Sequence, residues 1–94
     1  MLARVLLVAI GCSVLAPAAS AKRVVVLEPG HGGSNAGASG SGLREKQVTF
    51  TLANLVADRL RAKGVDVQLT RTGDVTRTLR QRAEPAVARN ADLF

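Results

Sequence analysis

Tryptophan and tyrosine are absent from this chain and phenylalanine occurs only twice, so aromatic residues make up 2% of its 94 residues. Any core must therefore be built from Val, Leu and Ala, and at this length it is thin. The same absence argues against nucleic acid as a partner, because single-strand binders interleave stacking rings with their basic residues. Cysteine occurs once, as Cys12, and histidine once, as His31. Cys12 falls in an apolar leader, so residues 22–94 can form no internal disulfide and no thiolate metal site. A metal in this body would have to be held by imidazole and carboxylate. Acidic side chains are also scarce, 7 against 13 basic ones for a net charge of +6. That balance favours polyanionic surroundings, such as an anionic cell wall or acidic lipid, without selecting among them.

Met1 to Ala21 has the layout of an export signal. Arg4 supplies the positive end, Val5–Leu15 the apolar run and Ala19-Ser20-Ala21 the small-residue cleavage pattern, which would leave Lys22 as the new N-terminus. The run is interrupted by Gly11, Ser13 and Pro17 and falls short of the roughly 20 residues of a spanning helix, so membrane contact is expected only through the export signal. Ile10-Gly11-Cys12 is a partial lipobox with Ala9 where that motif prefers Leu, and lipid attachment at Cys12 is the lesser alternative.

Residues 22–94 form one small domain at most. Val24-Val25-Val26-Leu27 is a β-branched run followed by Pro29-Gly30, the pattern of a buried parallel strand. Pro29 to Gly42 holds six of the nine glycines and reads as a loop that bends sharply or approaches something closely. From Glu45 the period changes: Val48, Leu52, Leu55, Val56 and Leu60 form an apolar helical stripe, and Gly64 supplies the stop. Val65, Val67 and Leu69 alternate with polar residues as a second strand, so strand, helix and strand imply a right-handed βαβ unit. Arg71–Asp74 is a turn. Thr78–Asn90 is a second helix expected to be kinked or split at Pro85. Ala91-Asp92-Leu93-Phe94 begins a third strand at which the chain stops, as a fragment of a larger sheet would. The expected fold is α/β, an open, mostly parallel sheet with flanking helices.

His31 directly follows a strand end among Gly30, Gly32 and Gly33, the position of an α/β active site at the carboxyl edge of the sheet. A loop histidine beside glycines is more often a solvated side chain than a ligand. Glu45 opens the helix, where a carboxylate is also expected simply to offset the positive helix end. The glycine-rich loop between them can fold back and bring imidazole and carboxylate together above one sheet edge, a pair that suits zinc. The rival reading of the glycines is a phosphate loop. Asn35 stands where the dinucleotide fingerprint needs its last glycine, and no Gly-Lys-Ser/Thr follows.

The run Val24-Val25-Val26-Leu27-Glu28-Pro29-Gly30-His31-Gly32-Gly33, then Gly37-Ala38, Gly42-Leu43-Arg44-Glu45-Lys46, Leu69-Thr70-Arg71, Asp74, Leu79, Arg82 and Ala91-Asp92-Leu93-Phe94, resembles the zinc-dependent N-acetylmuramoyl-L-alanine amidases of the amidase type 3 family. The resemblance covers essentially all of residues 22–94 and rests on several motifs in order. It implies peptidoglycan as substrate, Zn2+ as cofactor, and His31 and Glu45 as the first and second zinc ligands. The family's third ligand, a histidine just beyond the Ala-Asp-Leu-Phe strand, and its catalytic glutamate would follow Phe94, so no catalytic residue is assigned within this chain. Hydrolytic zinc sites use three protein ligands and an open water position.

The family usually has aspartate where this chain has Glu28, whose extra methylene would shift any hydrogen bond between that side chain and His31. Val87 and Pro85 also depart from the family pattern and bear on the second helix. Arg71, Asp74 and Arg82 match family positions and are read as solvated or structural. Two alternatives stand beside the enzyme: a non-catalytic peptidoglycan-binding remnant of the same fold, and a nucleotide-binding βαβ module.

Overall fold

The computed structural model describes Gly11 and residues 21–94. The expected leader and lipobox cysteine otherwise lie outside the described residues. Strand β1 is Val24–Leu27, and its apolar run forms a strand because both faces are covered. The two short strands β2 (Ser39–Gly40) and β3 (Leu43–Arg44) make an antiparallel hairpin. Its two-residue turn, Ser41 and Gly42, has positive φ at both positions, 51° and 75°, the geometry whose twist matches flanking strands. Helix α1 (Glu45–Ala62) leads to strand β4 (Asp66–Leu69), and helix α2 (Leu79–Ala88) follows.

β1 and β4 pair in parallel with Val25 opposite Val67 and Leu27 opposite Leu69, so α1 is the crossover of a βαβ unit. On the other edge of β1, Leu93 makes a parallel bridge to Val25, with the Val26 amide donating to the Leu93 carbonyl at 3.0 Å. β1 is thus central, and the strand expected at Ala91–Phe94 does begin beside it. This is the α/β architecture expected, extended by the small hairpin inside the glycine-rich segment.

The core is small, as the composition requires: Val25, Ala57, Val67 and Leu69, with Leu27, Ala53, Leu60 and Val65 packed around them. Fully burying a Val or Leu contributes roughly 1.5–3 kcal/mol, so few side chains carry much of the stability. The face of α1 that meets the sheet is not the expected stripe. Ala53, Ala57 and Leu60 face the core and Lys46 is buried, while Val48, Leu52 and Leu55 are exposed. Two residues along a helix is about 200° of rotation, so the series 46, 53, 57, 60 and the series 48, 52, 55 occupy opposite sides. Small residues on the inner side let the helix approach the strands closely, and Ala57 is completely buried.

Helix α1 stops where glycine was expected to stop it. Gly64 has φ 82°, and the following Val65 amide closes on the Leu60 carbonyl at 3.1 Å. Helix α2 is continuous over its ten residues with Pro85 inside it, which corrects the expectation of a split. Its start is fixed by a capping box in which Thr78 Oγ1 accepts from the Gln81 amide and Gln81 Oε1 accepts from the Thr78 amide. Among the described residues no helix is long and apolar enough to cross a membrane.

Candidate functional site

The chain leaves the carboxyl end of β1 through buried Pro29 and enters left-handed backbone at His31, φ 61°. A non-glycine residue in this region is uncommon and persists only where its surroundings enforce it. They do so here. Gly32 and Asn35 exchange backbone hydrogen bonds of 2.8 and 3.0 Å, the Gly33 amide donates to Asp74 Oδ1 at 2.7 Å, and the Ser34 amide donates to Thr76 Oγ1 at 3.0 Å. Gly33 is required: a Cβ there would lie 2.3 Å from Thr76 Oγ1 and 2.4 Å from its amide nitrogen.

Helix α1 begins without a side-chain cap on Arg44, so its first amides need other acceptors. The returning loop supplies them: Glu45 donates to the Ala38 carbonyl at 2.8 Å and Lys46 to the Ala36 carbonyl at 3.0 Å. In the opposite direction, Glu45 Oε2 accepts the Ala38 amide at 2.8 Å. The loop and the helix start are therefore stitched together around Glu45. The approach is close enough that a Cβ on Gly37 would stand 2.8 Å from both Glu45 Cβ and His31 Cδ2.

The two sequence-predicted site residues meet. His31 Nε2 lies 3.0 Å from Glu45 Oε1, and His31 Nδ1 lies 2.9 Å from Asn35 Oδ1. The acceptor oxygens of Asn35 and Glu45 raise the imidazole pKa above its ordinary 6.5. The Ala38 amide, followed by the imidazole, lowers the Glu45 pKa below 4.5. Both side chains are partly exposed, at 31% and 43%, so an ion or substrate can reach them. Beside His31 a groove of about 500 Å³ is lined in part by Glu28, Asn35, Arg77 and Arg82.

Two buried arginines brace this arrangement. Arg71, 2% exposed, donates to the carbonyls of Pro29 (3.2 Å), Gly30 (3.1 Å), Lys46 (2.9 Å) and Gly73 (3.1 Å). Its guanidinium also stacks 5.0 Å from the centre of the Phe50 ring. Arg82 donates to Glu28 Oε1 at 2.8 Å and to the His31 carbonyl at 3.3 Å. The partner of Glu28 is thus Arg82 rather than the imidazole, and Glu28 acts on His31 only through the backbone. Lys46 reaches the Gly33 carbonyl at 3.0 Å and Asp74 Oδ2 at 2.9 Å, closing the loop from below.

Arg71 and Arg82 are structural, as read from the sequence, but buried rather than solvated. The signal that could have marked them is their position: Arg71 lies two residues after the end of β4, and Arg82 lies one helical turn after a capping threonine. Asn35 and Ala38 carried no sequence signal as site residues, because their roles depend on loop closure.

The phosphate-loop alternative finds no support in the loop. The amides of Gly32, Gly33, Ser34, Asn35, Gly37 and Ala38 are all committed to internal acceptors, and the carboxylate of Asp74 covers one of them. A phosphate cradle needs those N–H groups free and convergent. An imidazole nitrogen opposed to a carboxylate oxygen is instead a donor set that fits a divalent cation such as zinc. Among the described residues no group of three or more His, Cys, Asp or Glu side chains converges, so those residues offer a pair, His31 and Glu45.

A parallel α/β unit with a histidine and a helix-opening glutamate joined at the carboxyl edge of its sheet belongs to the α/β class in which ligands sit at strand ends. The particular family is shown by comparison: residues 25–94 match the model described as N-acetylmuramoyl-L-alanine amidase, and the chain belongs to that family. It is 50% identical over 74 residues to the N-acetylmuramoyl-L-alanine amidase AmiA of Escherichia coli, covering 78% of this chain and 26% of that protein. The solved N-acetylmuramoyl-L-alanine amidase AmiC2 of Nostoc punctiforme superposes with a TM-score of 0.71 at 44% identity, covering 77% of this chain and 41% of that one. The catalytic domain of the amidase CwlV from Bacillus (Paenibacillus) polymyxa gives 0.72 at 35% identity, covering 77% and 42%. The chain therefore spans about a quarter of the AmiA length and about two fifths of the solved domains.

Proposed function

We propose that this chain is the N-terminal part of an exported, zinc-dependent N-acetylmuramoyl-L-alanine amidase domain, acting on the amide bond between N-acetylmuramic acid and L-alanine in peptidoglycan. Residues 1–21 serve as the signal peptide, and the site of action is the periplasm or cell wall. The observation that carries the reading is the convergence of His31 Nε2 and Glu45 Oε1 at 3.0 Å, inside a chain half identical to a named amidase. His31 and Glu45 would hold the metal, with the third ligand and the general base supplied by residues outside these 94.

Zinc, when bound, would lower the pKa of a water molecule and polarise the scissile carbonyl. The chain's own residues have other tasks. His31 and Glu45 keep imidazole and carboxylate aligned at the mouth of the groove. Arg71 and Arg82 hold the loop that carries His31. Arg77, on the wall of that groove, and the net positive charge favour an anionic wall polymer.

The reading is tested by calorimetric zinc titration of the full chain beside His31→Ala and Glu45→Ala. Zinc binding that both substitutions abolish supports it. Zinc binding untouched by either substitution removes the metal assignment, and so does failure to bind zinc once the chain is joined to the remaining part of an amidase domain, where all three ligands are present. The substrate is tested by joining the chain to the remaining part of an amidase domain. Chelator-sensitive appearance of free L-alanine amino groups on purified peptidoglycan is the expected result.

A further inference from the structure

Two arginines line the groove beside His31, and they differ in what meets their charge. Arg82 is buried, and its guanidinium is paired with Glu28 at 2.8 Å. Arg77 is exposed, and among the described residues it enters the hydrogen-bond network through its carbonyl alone, which accepts from Arg82 Nε at 3.2 Å. Of the two guanidiniums, that of Arg77 is the one left uncompensated. The segment that carries it is nonetheless held. Thr76 Oγ1 accepts the Ser34 amide at 3.0 Å, and Thr78 is fixed by the capping box of α2. Arg82 donates to the carbonyls of both Arg77 and His31, at 3.2 and 3.3 Å, so one buried side chain sets the spacing between those two backbone positions. A free guanidinium on a fixed backbone is pre-organised for an oxyanion, which its planar fork can take bidentately.

A second groove, of about 480 Å³, reaches the pair from Glu45 and shares no lining residue with the first. Ser39, Ser41, Leu43 and Val48 contribute to its walls, and among the described residues no cation lines it. A muramoyl–alanine amide joins a sugar to a peptide, and cleavage beside His31 and Glu45 needs room for both halves. The lactyl carboxyl of the sugar is consumed in that amide, so the free carboxylates near the bond belong to the peptide. We infer that Arg77 is a specificity-determining residue that binds a carboxylate of the peptide half, seating that half in the His31 groove and leaving the groove at Glu45 for the sugar. The inference rests on the reading under Proposed function.

The experiment uses the chain joined to the remaining part of an amidase domain and loaded with zinc. Its substrates are N-acetylmuramoyl-L-alanyl-D-glutamate with the glutamate carboxylates free or amidated. The parent is expected to prefer the free form by about tenfold in kcat/KM, the worth of one charge-assisted hydrogen bond. Arg77→Gln should cleave both forms about equally, the loss appearing as a raised KM for the free form. Arg77→Lys, which keeps the charge without the fork, should be intermediate. Lys63→Gln removes one charge at the far end of the 18-residue α1 and should keep the parent preference, which separates pairing in the groove from long-range attraction. Equal parent rates on both forms, a preference that survives in Arg77→Gln, or one lost in Lys63→Gln overturns the inference. Phosphate groups of a wall polymer offer the same oxyanion chemistry, so free L-alanyl-D-glutamate and inorganic phosphate are compared as ligands through amide chemical shifts of the joined protein. Shifts from the dipeptide that exceed those from phosphate and vanish in Arg77→Gln support the peptide assignment, and the reverse order overturns it. If neither substrate is cleaved, the amidase reading fails, and these shifts decide the role of Arg77 by themselves.

Discussion

Arg71 Nη2 lies 2.9 Å from the carbonyl oxygen of Lys46, in the first turn of α1, and the same nitrogen lies 3.1 Å from the carbonyl of Gly30, just before His31. One planar guanidinium thus spans the two backbone segments that carry His31 and Glu45. Arg71→Met leaves several buried carbonyls without donors, and each such loss costs roughly 1–3 kcal/mol. The expected result is destabilisation of about 3 kcal/mol in urea unfolding together with weaker zinc binding. Arg71→Lys recovers only part of this, because an ammonium cannot reproduce the fork. A lysine variant with parent stability and parent zinc affinity would contradict the role given to Arg71.

Gly37 and Gly42 separate backbone strain from crowding. Both have positive φ, 68° and 75°, but a Cβ on Gly37 meets Glu45 and His31 at 2.8 Å, whereas one on Gly42 meets nothing within 4 Å. Each alanine substitution carries a left-handed penalty of roughly 1–2 kcal/mol. Only Gly37→Ala should also force imidazole and carboxylate apart, lowering zinc affinity at least about tenfold by the usual cost of disturbing ligand orientation. Calorimetry on both variants checks this, and equal zinc affinities would refute it.

How much could be read from the sequence follows from which interactions are local. β1, β4, the stop at Gly64 and the pairing of His31 with Glu45 were legible because runs, alternation and glycine placement report directly on backbone conformation. The β2–β3 hairpin was not, since Ser41-Gly42 supports its turn only once both residues adopt positive φ. The inner face of α1 was misjudged for a different reason. Close helix–sheet packing selects the small Ala53 and Ala57, which hydropathy underweights against Val48, Leu52 and Leu55. The roles of Arg71, Arg82 and Asn35 depend on contacts between segments distant in sequence or on loop closure, which no local pattern encodes.

The pH dependence of the metal-free chain follows from opposed shifts. The raised His31 pKa contributes stability that is fully present below 6.5 and lost as pH rises through the folded value. The lowered Glu45 pKa contributes stability present above 4.5 and lost as pH falls through its folded value. Their joint contribution is therefore greatest between about 4.5 and 6.5. Asp66, lowered by Arg89, Asp74, lowered by Lys46, and Asp92, lowered by the Val24 amide, add to the loss on the acid side. Urea midpoints across pH should fall on the acid side in the parent, and the decline above pH 6.5 should vanish in His31→Ala. Zinc should bind less tightly as pH falls, because the metal must displace the His31 proton.

The two sides of α1 predict opposite responses to substitution. Ala57 is completely buried against the sheet, whereas Leu52 and Leu55 are 59% and 56% exposed. Ala57→Leu adds three carbons where the helix already touches β4, and overpacking of this kind costs typically 1–3 kcal/mol. Leu52→Gln and Leu55→Gln remove apolar surface that is already largely in water, and such changes usually stay within about 0.5 kcal/mol. In a chain whose core rests on so few side chains, the first substitution should lower the urea midpoint sharply, while the other two leave it near the parent value. A large loss from Leu52→Gln would mean that something covers this face in solution, and parallel sedimentation measurements on the parent and the variant would show whether that cover is a second copy of the chain.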